Sequence, residues 1–469
     1  MRKAIVFVLV LVFVRSSLFA QTIDEIREIN IPVLIINTVN DEEPTFEVSY
    51  RSDSLLYTIK NATKVPGKMI MLLGKDTLYN SSEYVQKQSG LTIKIRGNSS
   101  AVYPKKKPYK LKLQKAEDLF MRGNKFADKN WILINDEKHK INTLIGLKIN
   151  ELMGMQFAPH GEMVNVFLNG TYRGLYILTE SEERNTDCRV NVSKNGFIFE
   201  SDPYWWNEDV AFHTTINSWY SFGVTFKYPD TEDITEAQIT FLKHHLESFE
   251  ETLLSDGDYT SFIDLDSWAA WLLAHDILGT YDCAGSNIYF ALYDSNASSR
   301  IFMPNLWDYD TIMMTPETWA RIHDCTFYFQ LLLKSKNPAF RRAYIKKWHD
   351  SSDKIFNGIN QFLDSLSTPS IIETINNAKS ADAAKWNYSH SDIRDNILET
   401  RNWFSKRREW LNNQINILEA EDSISSIFQP KIQTMERTTI FNLQGQRLTK
   451  LINGINIVNG KKIIKNHTP

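Results

Sequence analysis

Residues 280–290 read TYDCAGSNIYF and, after a short loop, residues 305–310 read NLWDYD. Asp282 and Asn287 stand as an aspartate, four intervening residues and an asparagine, and two further carboxylates follow at Asp308 and Asp310. Phosphoryl-transfer sites are laid out in this order: a first Asp orients the attacking hydroxyl, an Asn takes a metal, and a later Asp in a short hydrophobic turn holds the magnesium ion that bridges the phosphates. Spacing alone is weak, because a chain with 56 acidic residues contains such matches by chance. Asp282 by itself reads equally as a turn or helix-capping residue. The neighbouring text adds weight. Residues 307–310 follow the strand-like run IFMPNL, and carboxylates two apart in an extended segment point to one face. Oxygen-only ligands suit a hard cation such as magnesium better than zinc.

The chain has 469 residues, enough for one large two-lobed domain or two ordinary ones with short appendages. Hydrophobic residues at 42% and 12 tryptophans describe a globular protein with a substantial core. A net charge of −3 gives no general reason to expect nucleic acid or an anionic membrane as partner. The start reads as a secretory signal over residues 1–20: Arg2 and Lys3, an apolar run from Ala4 to Val14, then small residues ahead of Gln21. That run is too short to span a bilayer, so an exported protein with no membrane span in the mature chain is expected. Cys188, Cys283 and Cys325 have no metal-ligand spacing.

From residue 31 to about 113 the pattern is mostly strands, with IPVLIINT, FEVSYRS, KMIMLLG, LTIKIRG and YKLKLQ separated by turn residues. WILIN reads as a strand, INTLIGLKINELMGM as an amphipathic helix, and VNVFLNGTYRGLYILTE as a hairpin turning at Asn169 and Gly170. Beyond residue 233 the spacing turns helical, in 234–254, 264–280, 339–366 and 393–418. These patterns predict an α+β fold: a β-rich N-terminal lobe over 21–232 and a mainly helical C-terminal lobe over 233–420, with a ligand cleft between them. A linker and a small β tail with Gly turns occupy 421–469.

The segment IRGNSSAVYPKKKPYKLKL concentrates positive charge. On a strand Lys110 and Lys112 share one face, while Tyr109, Leu111 and Leu113 share the other. Ammonium groups above a packed apolar layer, next to the NH groups of a turn, are what a phosphate site needs. Lysines that protect an edge strand from pairing would look the same.

IRGNSS with PKKKPYKLKL, then KNWILIND, FLNGTYRGLYILTE, SNIYFALYD and LWDYD, in that order, resemble the spore coat protein CotH kinase family over roughly residues 30 to 420. The resemblance implies an atypical, bilobal protein-kinase-like fold that binds ATP with Mg²⁺ or Mn²⁺ and phosphorylates Ser or Thr of secreted or surface proteins. It carries Asp282 over as the catalytic aspartate, Asn287 as a metal-side asparagine, Asp308 as the metal aspartate and Asp310 as a second ligand. Lys107 and Lys112 match the strand lysines, one of which reaches the phosphates; Arg96 and Ser99 match the turn, and Glu180 matches a glutamate that pairs with a strand lysine. The run after WILIN departs from the family, whose arginine falls here at Asn142. The C-terminal FNLQGQRLTKLINGINIVNGKKIIK is similar to the sorting tails of the type IX secretion system of Bacteroidetes, which points to the cell envelope or exterior.

The competing expectation is a non-catalytic surface module on the same fold, a pseudokinase or adhesin. Trp205, Trp206 and Trp219 would then serve as platforms for a glycan. A metal-dependent hydrolase is disfavoured, because no His pair lies near the carboxylates.

Overall fold

The computed structural model describes residues 21–50, 57–135, 141–280, 287–309, 311–313, 315–318, 327–428, 440–441, 447–448, 454–458 and 461–465. The leader expected over 1–20, the carboxylates Asp282 and Asp310, Cys283, Cys325, the run 136–140 and the tail glycines Gly445 and Gly460 lie outside the described residues. One compact unit ends at Leu418 and a second runs Glu419–Pro469.

Strands alternate more and less buried positions where one face meets a core, and Val65–Leu73 and the first half of Tyr109–Glu117 both do so. The strands of the first sheet run in the order Val33–Thr38, Gly161–Leu168, Thr171–Glu180, Asp128–Ile134, Tyr109–Glu117, Leu91–Ile95, Val65–Leu73, with Asp76–Asn80 outside the last. Val33–Thr38 pairs in parallel with Gly161–Leu168 and antiparallel with Val65–Leu73, so the sheet closes on itself as a barrel. Its interior is filled by Leu34, Met69, Leu111, Trp131, Val166 and Leu178 among others. Closure leaves the lysine strand Tyr109–Glu117 with a hydrogen-bonded neighbour on each side, so its lysines are not edge protection. Glu47–Tyr50, from the run FEVSYRS, stands apart from the barrel and pairs with Tyr57–Lys60 as a separate two-stranded ribbon. The hairpin forms at Asn169 and Gly170, whose φ values of 49° and 70° are those of a type I′ turn.

A second sheet orders Ala211–Phe212, Gly223–Tyr228, Phe197–Asp202, Ile288–Leu292 and Ile301–Phe302, taking strands from both sides of residue 232. Phe199, Phe226 and Phe290 of one face enter the main core. Helix Leu265–Leu278 lies at the centre of that core, every residue from Trp268 to Leu278 being buried. Asp264 caps its N-terminus and Gly279, at φ 62°, ends it in the left-handed region. Around it pack Asn142–Met153, Glu236–Leu254 (opened by the Thr235/Gln238 capping box), Phe327–Lys334, Ala339–Ser365 and Ile393–Phe428. Helix Pro369–Trp386, which the sequence reading did not single out, packs on barrel strand Thr171–Glu180 through Ala378 and Leu175. No helix among the described residues is long and apolar enough to cross a membrane. The second unit carries an antiparallel sheet of Ile440–Phe441, Arg447–Leu448, Gly454–Val458 and Lys461–Lys465.

Candidate active site

The turn carrying Asp308 is held from beneath by helix Asn142–Met153. Asn150, fully buried, accepts from the backbone NH of Leu306 at 2.8 Å and donates to the Tyr309 hydroxyl, which itself donates to the Leu306 carbonyl. Gly146 lets the Tyr309 ring lie directly on the helix, where a Cβ would fall 2.1 Å from the ring. Trp307 packs with Ile132 of the barrel and Tyr289 of the second sheet, and the Arg96 guanidinium stacks over it at 5.6 Å. These contacts bring the RGNSS turn and the WDYD turn together.

The run IFMPNL is a strand only at Ile301–Phe302; beyond it the chain is buried but irregular, and Pro304 has no NH for a ladder. Asp308 sits at φ 64° and Asn287 at φ 58°, so the same-face argument for carboxylates two apart does not apply here. Both proposed metal-side residues hold the left-handed conformation, which Asn and Asp adopt more readily than other side chains, as in a turn and not a strand. Ser201 pairs with Ile288, which places Asp202 at the strand end beside Asn287. Among the described residues no group of three or more His, Cys, Asp or Glu is placed to hold a metal ion.

The expected lysines part company. Lys107 donates to the carbonyls of Ala101 at 2.7 Å and Val102 at 3.3 Å, capping the short helix Ser99–Val102 that begins at the predicted Ser99. Lys112 is exposed on the outer wall of the barrel, between Thr92 and Asn130. Lys110, two residues earlier on the same wall, ion-pairs with Glu183 at 2.6 Å. Glu180 does not pair with a strand lysine. The register aligns Leu111, Trp131 and Glu180 on the inner side and Lys110, Ile132 and Thr179 on the outer side, so the wall of the barrel separates them. Glu180 instead binds Arg122, Arg189 at 2.6 Å and the backbone NH of His160 at 2.8 Å. The carboxylate that meets a strand lysine is Glu183, three residues beyond Glu180.

Four further residues line this face and were not read from the sequence. Glu200 and Lys227 pair at 2.9 Å, and Asp202 is pushed up to about 6 by burial and by Glu200. Glu182 is buried and accepts from Asn305 Nδ2 at 3.0 Å. Burial pushes its carboxyl up to about 8, against the pull of Arg96 and Lys227. A free glutamate titrates near about 4.3. Between these values the native chain holds a proton that the unfolded chain has released, so stability falls as pH rises through about 8. Glu182→Gln, which keeps the neutral shape, should gain on the wild type in urea melts at pH 8.5 and show less advantage at pH 5. A difference between the two proteins that stays constant with pH would reject a neutral Glu182.

Asn142, where the resemblance expects arginine, is buried at the start of its helix and donates to the Ile312 carbonyl at 3.3 Å. It touches the segment just after WDYD. Among the described residues its Oδ1, Asn305 Oδ1 and Thr311 Oγ1 are buried oxygens without a hydrogen-bond partner. His275, buried at Nδ1 against Thr280 Oγ1 at 2.8 Å and pushed down to about 3, is a neutral packed residue. A cavity of ≈ 320 Å³ opens elsewhere, at the start of helix Leu265–Leu278 beside Asp264, Asp266 and Arg300, and none of the site residues assigned from the sequence lines it.

No curated protein matches the chain. Among solved structures it is similar to the Helicobacter pylori proinflammatory kinase CtkA, at 7% identity and a TM-score of 0.28, covering 62% of this chain and 92% of that one. It is also similar to the Shewanella oneidensis MR-1 toxin–antitoxin complex of HipA, HipB and operator DNA, at 11% identity and a TM-score of 0.24, covering 60% of this chain and 58% of that one. The family model described as CotH kinase protein matches residues 93–411, from the barrel strand that leads into the RGNSS turn to the last long helix. The chain therefore belongs to the CotH kinase protein family.

Proposed function

We propose that this protein transfers the γ-phosphate of ATP to a Ser or Thr hydroxyl of a secreted or surface protein, using Mg²⁺ or Mn²⁺. The observation that carries the reading is the Lys110–Glu183 pair on the outer wall of the barrel, at the face where Arg96 stacks on the Trp307 of the WDYD turn. A lysine held by a carboxylate and a nearby arginine fit a polyphosphate, since both offer donors in fixed positions. Oxygen donors at Asp308 and Asn287, with the oxygens of Asn142, Asn305 and Thr311 that have no partner among the described residues, fit a hard cation. The cation, when bound, neutralises charge on the transferring phosphoryl group. Lys110 and Arg96 hold the phosphates, Asp308, Asn287 and Asp310 hold the metal, and Asp282 orients the acceptor hydroxyl. Export, and a tail read by type IX secretion, agree with the leader and tail patterns of the sequence.

Incubation with γ-labelled ATP and either metal should label Ser or Thr of the chain itself or of an acceptor protein. Absence of label, with no thermal stabilisation by millimolar ATP and metal, would reject the proposal. That outcome would favour the non-catalytic surface module. Its basis is the cluster of Tyr50, Tyr57, Tyr103 and Tyr204, with Tyr50 58% and Tyr103 61% exposed. Stabilisation by an oligosaccharide and not by ATP would be its signature.

A further inference from the structure

The outer wall of the barrel carries a row of like charges that the described residues neutralise only in part. Lys94 and Lys110 are direct cross-strand partners. Lys64 precedes Val65, whose partner is Ile93, so it stands on the other side of Lys94. Three lysines thus stand in a row, Lys64 just ahead of its strand, and Lys227 of the second sheet acts on Lys94 as a fourth. Like charges directly opposite one another destabilise a sheet. Closure of the barrel puts all three strands in its interior order, so no sheet edge needs them.

The partners are unevenly shared. Lys110 has Glu183 and Lys227 has Glu200, while the half-buried Lys94 side chain makes no ion pair or hydrogen bond among the described residues. Glu208 is the acid that acts on it, without contact. Burial first, then Lys110 and Lys64, hold its ammonium below the ordinary lysine range. A mobile surface lysine would turn into water and escape this; Lys94 is half-buried on a strand paired on both sides.

We propose that Lys94 is an anion-binding residue that, with Lys110, takes the polyphosphate chain of the ligand. This rests on the nucleotide reading for the ligand's identity, not for its charge. The shared chemistry is a chain of phosphates, whether from a nucleoside triphosphate or from inorganic triphosphate. An anion seated on the row would relieve the repulsion among the three lysines and supply the partner that Lys94 lacks.

The test compares wild type, Lys94→Gln and Lys94→Arg in thermal melts and titrations with ATP and with inorganic triphosphate, each with Mg²⁺. Without ligand, Lys94→Gln is expected to melt at or above the wild-type temperature, because one repelling charge is gone. Its affinity for ATP is expected to fall about tenfold or more, as for loss of a charged hydrogen bond, and Lys94→Arg is expected to retain most of it. Wild-type affinity for both ligands in Lys94→Gln overturns the inference and leaves the nucleotide reading standing. A wild type that binds triphosphate through Lys94 but ignores ATP supports the inference and removes that reading. Binding of neither ligand by the wild type overturns both.

Discussion

Asp382→Ala is expected to lower the stability of the chain by about 3–5 kcal/mol, as for loss of one partner of a buried ion pair. The Lys106 ammonium and the Asp382 carboxylate meet at 2.9 Å with both side chains fully buried. Lys106 comes from the PKKKP loop ahead of the lysine strand, and its ammonium also donates to the Leu175 carbonyl and lies over the Tyr176 ring at 4.7 Å. Asp382 comes from helix Pro369–Trp386 and accepts in addition from the Leu175 backbone NH at 3.0 Å and from the Tyr388 hydroxyl. Gly174, at φ 109°, allows this approach, since a Cβ there would stand 2.0 Å from the Asp382 carboxylate. Alanine at 382 strands the ammonium without its counter-charge and removes an acceptor from the Leu175 NH at the same time. The cost should appear as a lower urea midpoint at unchanged m. Asp350→Ala, which breaks the exposed Lys346–Asp350 pair, is the control and should not move the melt. An Asp382→Ala melt as little affected as the control's would show that the pair does not hold the helix to the barrel.

Asp308→Asn is expected to reduce phosphoryl transfer by about 10²–10³-fold, the order found when one group stabilising transition-state charge is removed. Asparagine is the informative replacement because Asp308 holds φ 64°, a conformation that Asn accepts and Ala resists. The fold and the Asn150–Tyr309 clasp beneath the turn should therefore survive while the carboxylate charge is lost. Label transfer from ATP, measured beside a melt of the same preparation, separates chemistry from folding. Transfer at the wild-type rate would take Asp308 out of the site. Asp282→Ala should be at least as damaging in the same assay if that residue orients the acceptor.

Much of the local structure around the candidate site was legible in one dimension because its elements obey local rules. The alternation of YKLKL put Lys110 and Lys112 on one face, and the strand shows that alternation. The Asn-Gly hairpin and the helix over Asn142–Met153 follow from turn chemistry and apolar spacing. What failed was pairing at a distance. Glu180 was assigned to a lysine on the strength of its motif, whereas the register puts it inside the barrel with Arg122 and Arg189. Glu183, three residues on, reaches Lys110 from the strand's end. The extended reading of IFMPNL failed at Pro304 and at the left-handed Asp308, both consequences of the tertiary contacts that clamp the turn.

The amino-acid sequence by itself determined the family, the α+β character, the individual hairpin and helices, and the polar and apolar sides of each strand, because these depend on periods of two and 3.6 residues and on turn residues a few positions apart. Only the tertiary structure decided that the first sheet closes into a barrel, which lysine meets a carboxylate, and that Lys106 reaches a helix 276 residues away. Those outcomes turn on strand register and on charges brought together from distant segments. Shifting a register by one residue exchanges inside for outside while leaving every local pattern unchanged.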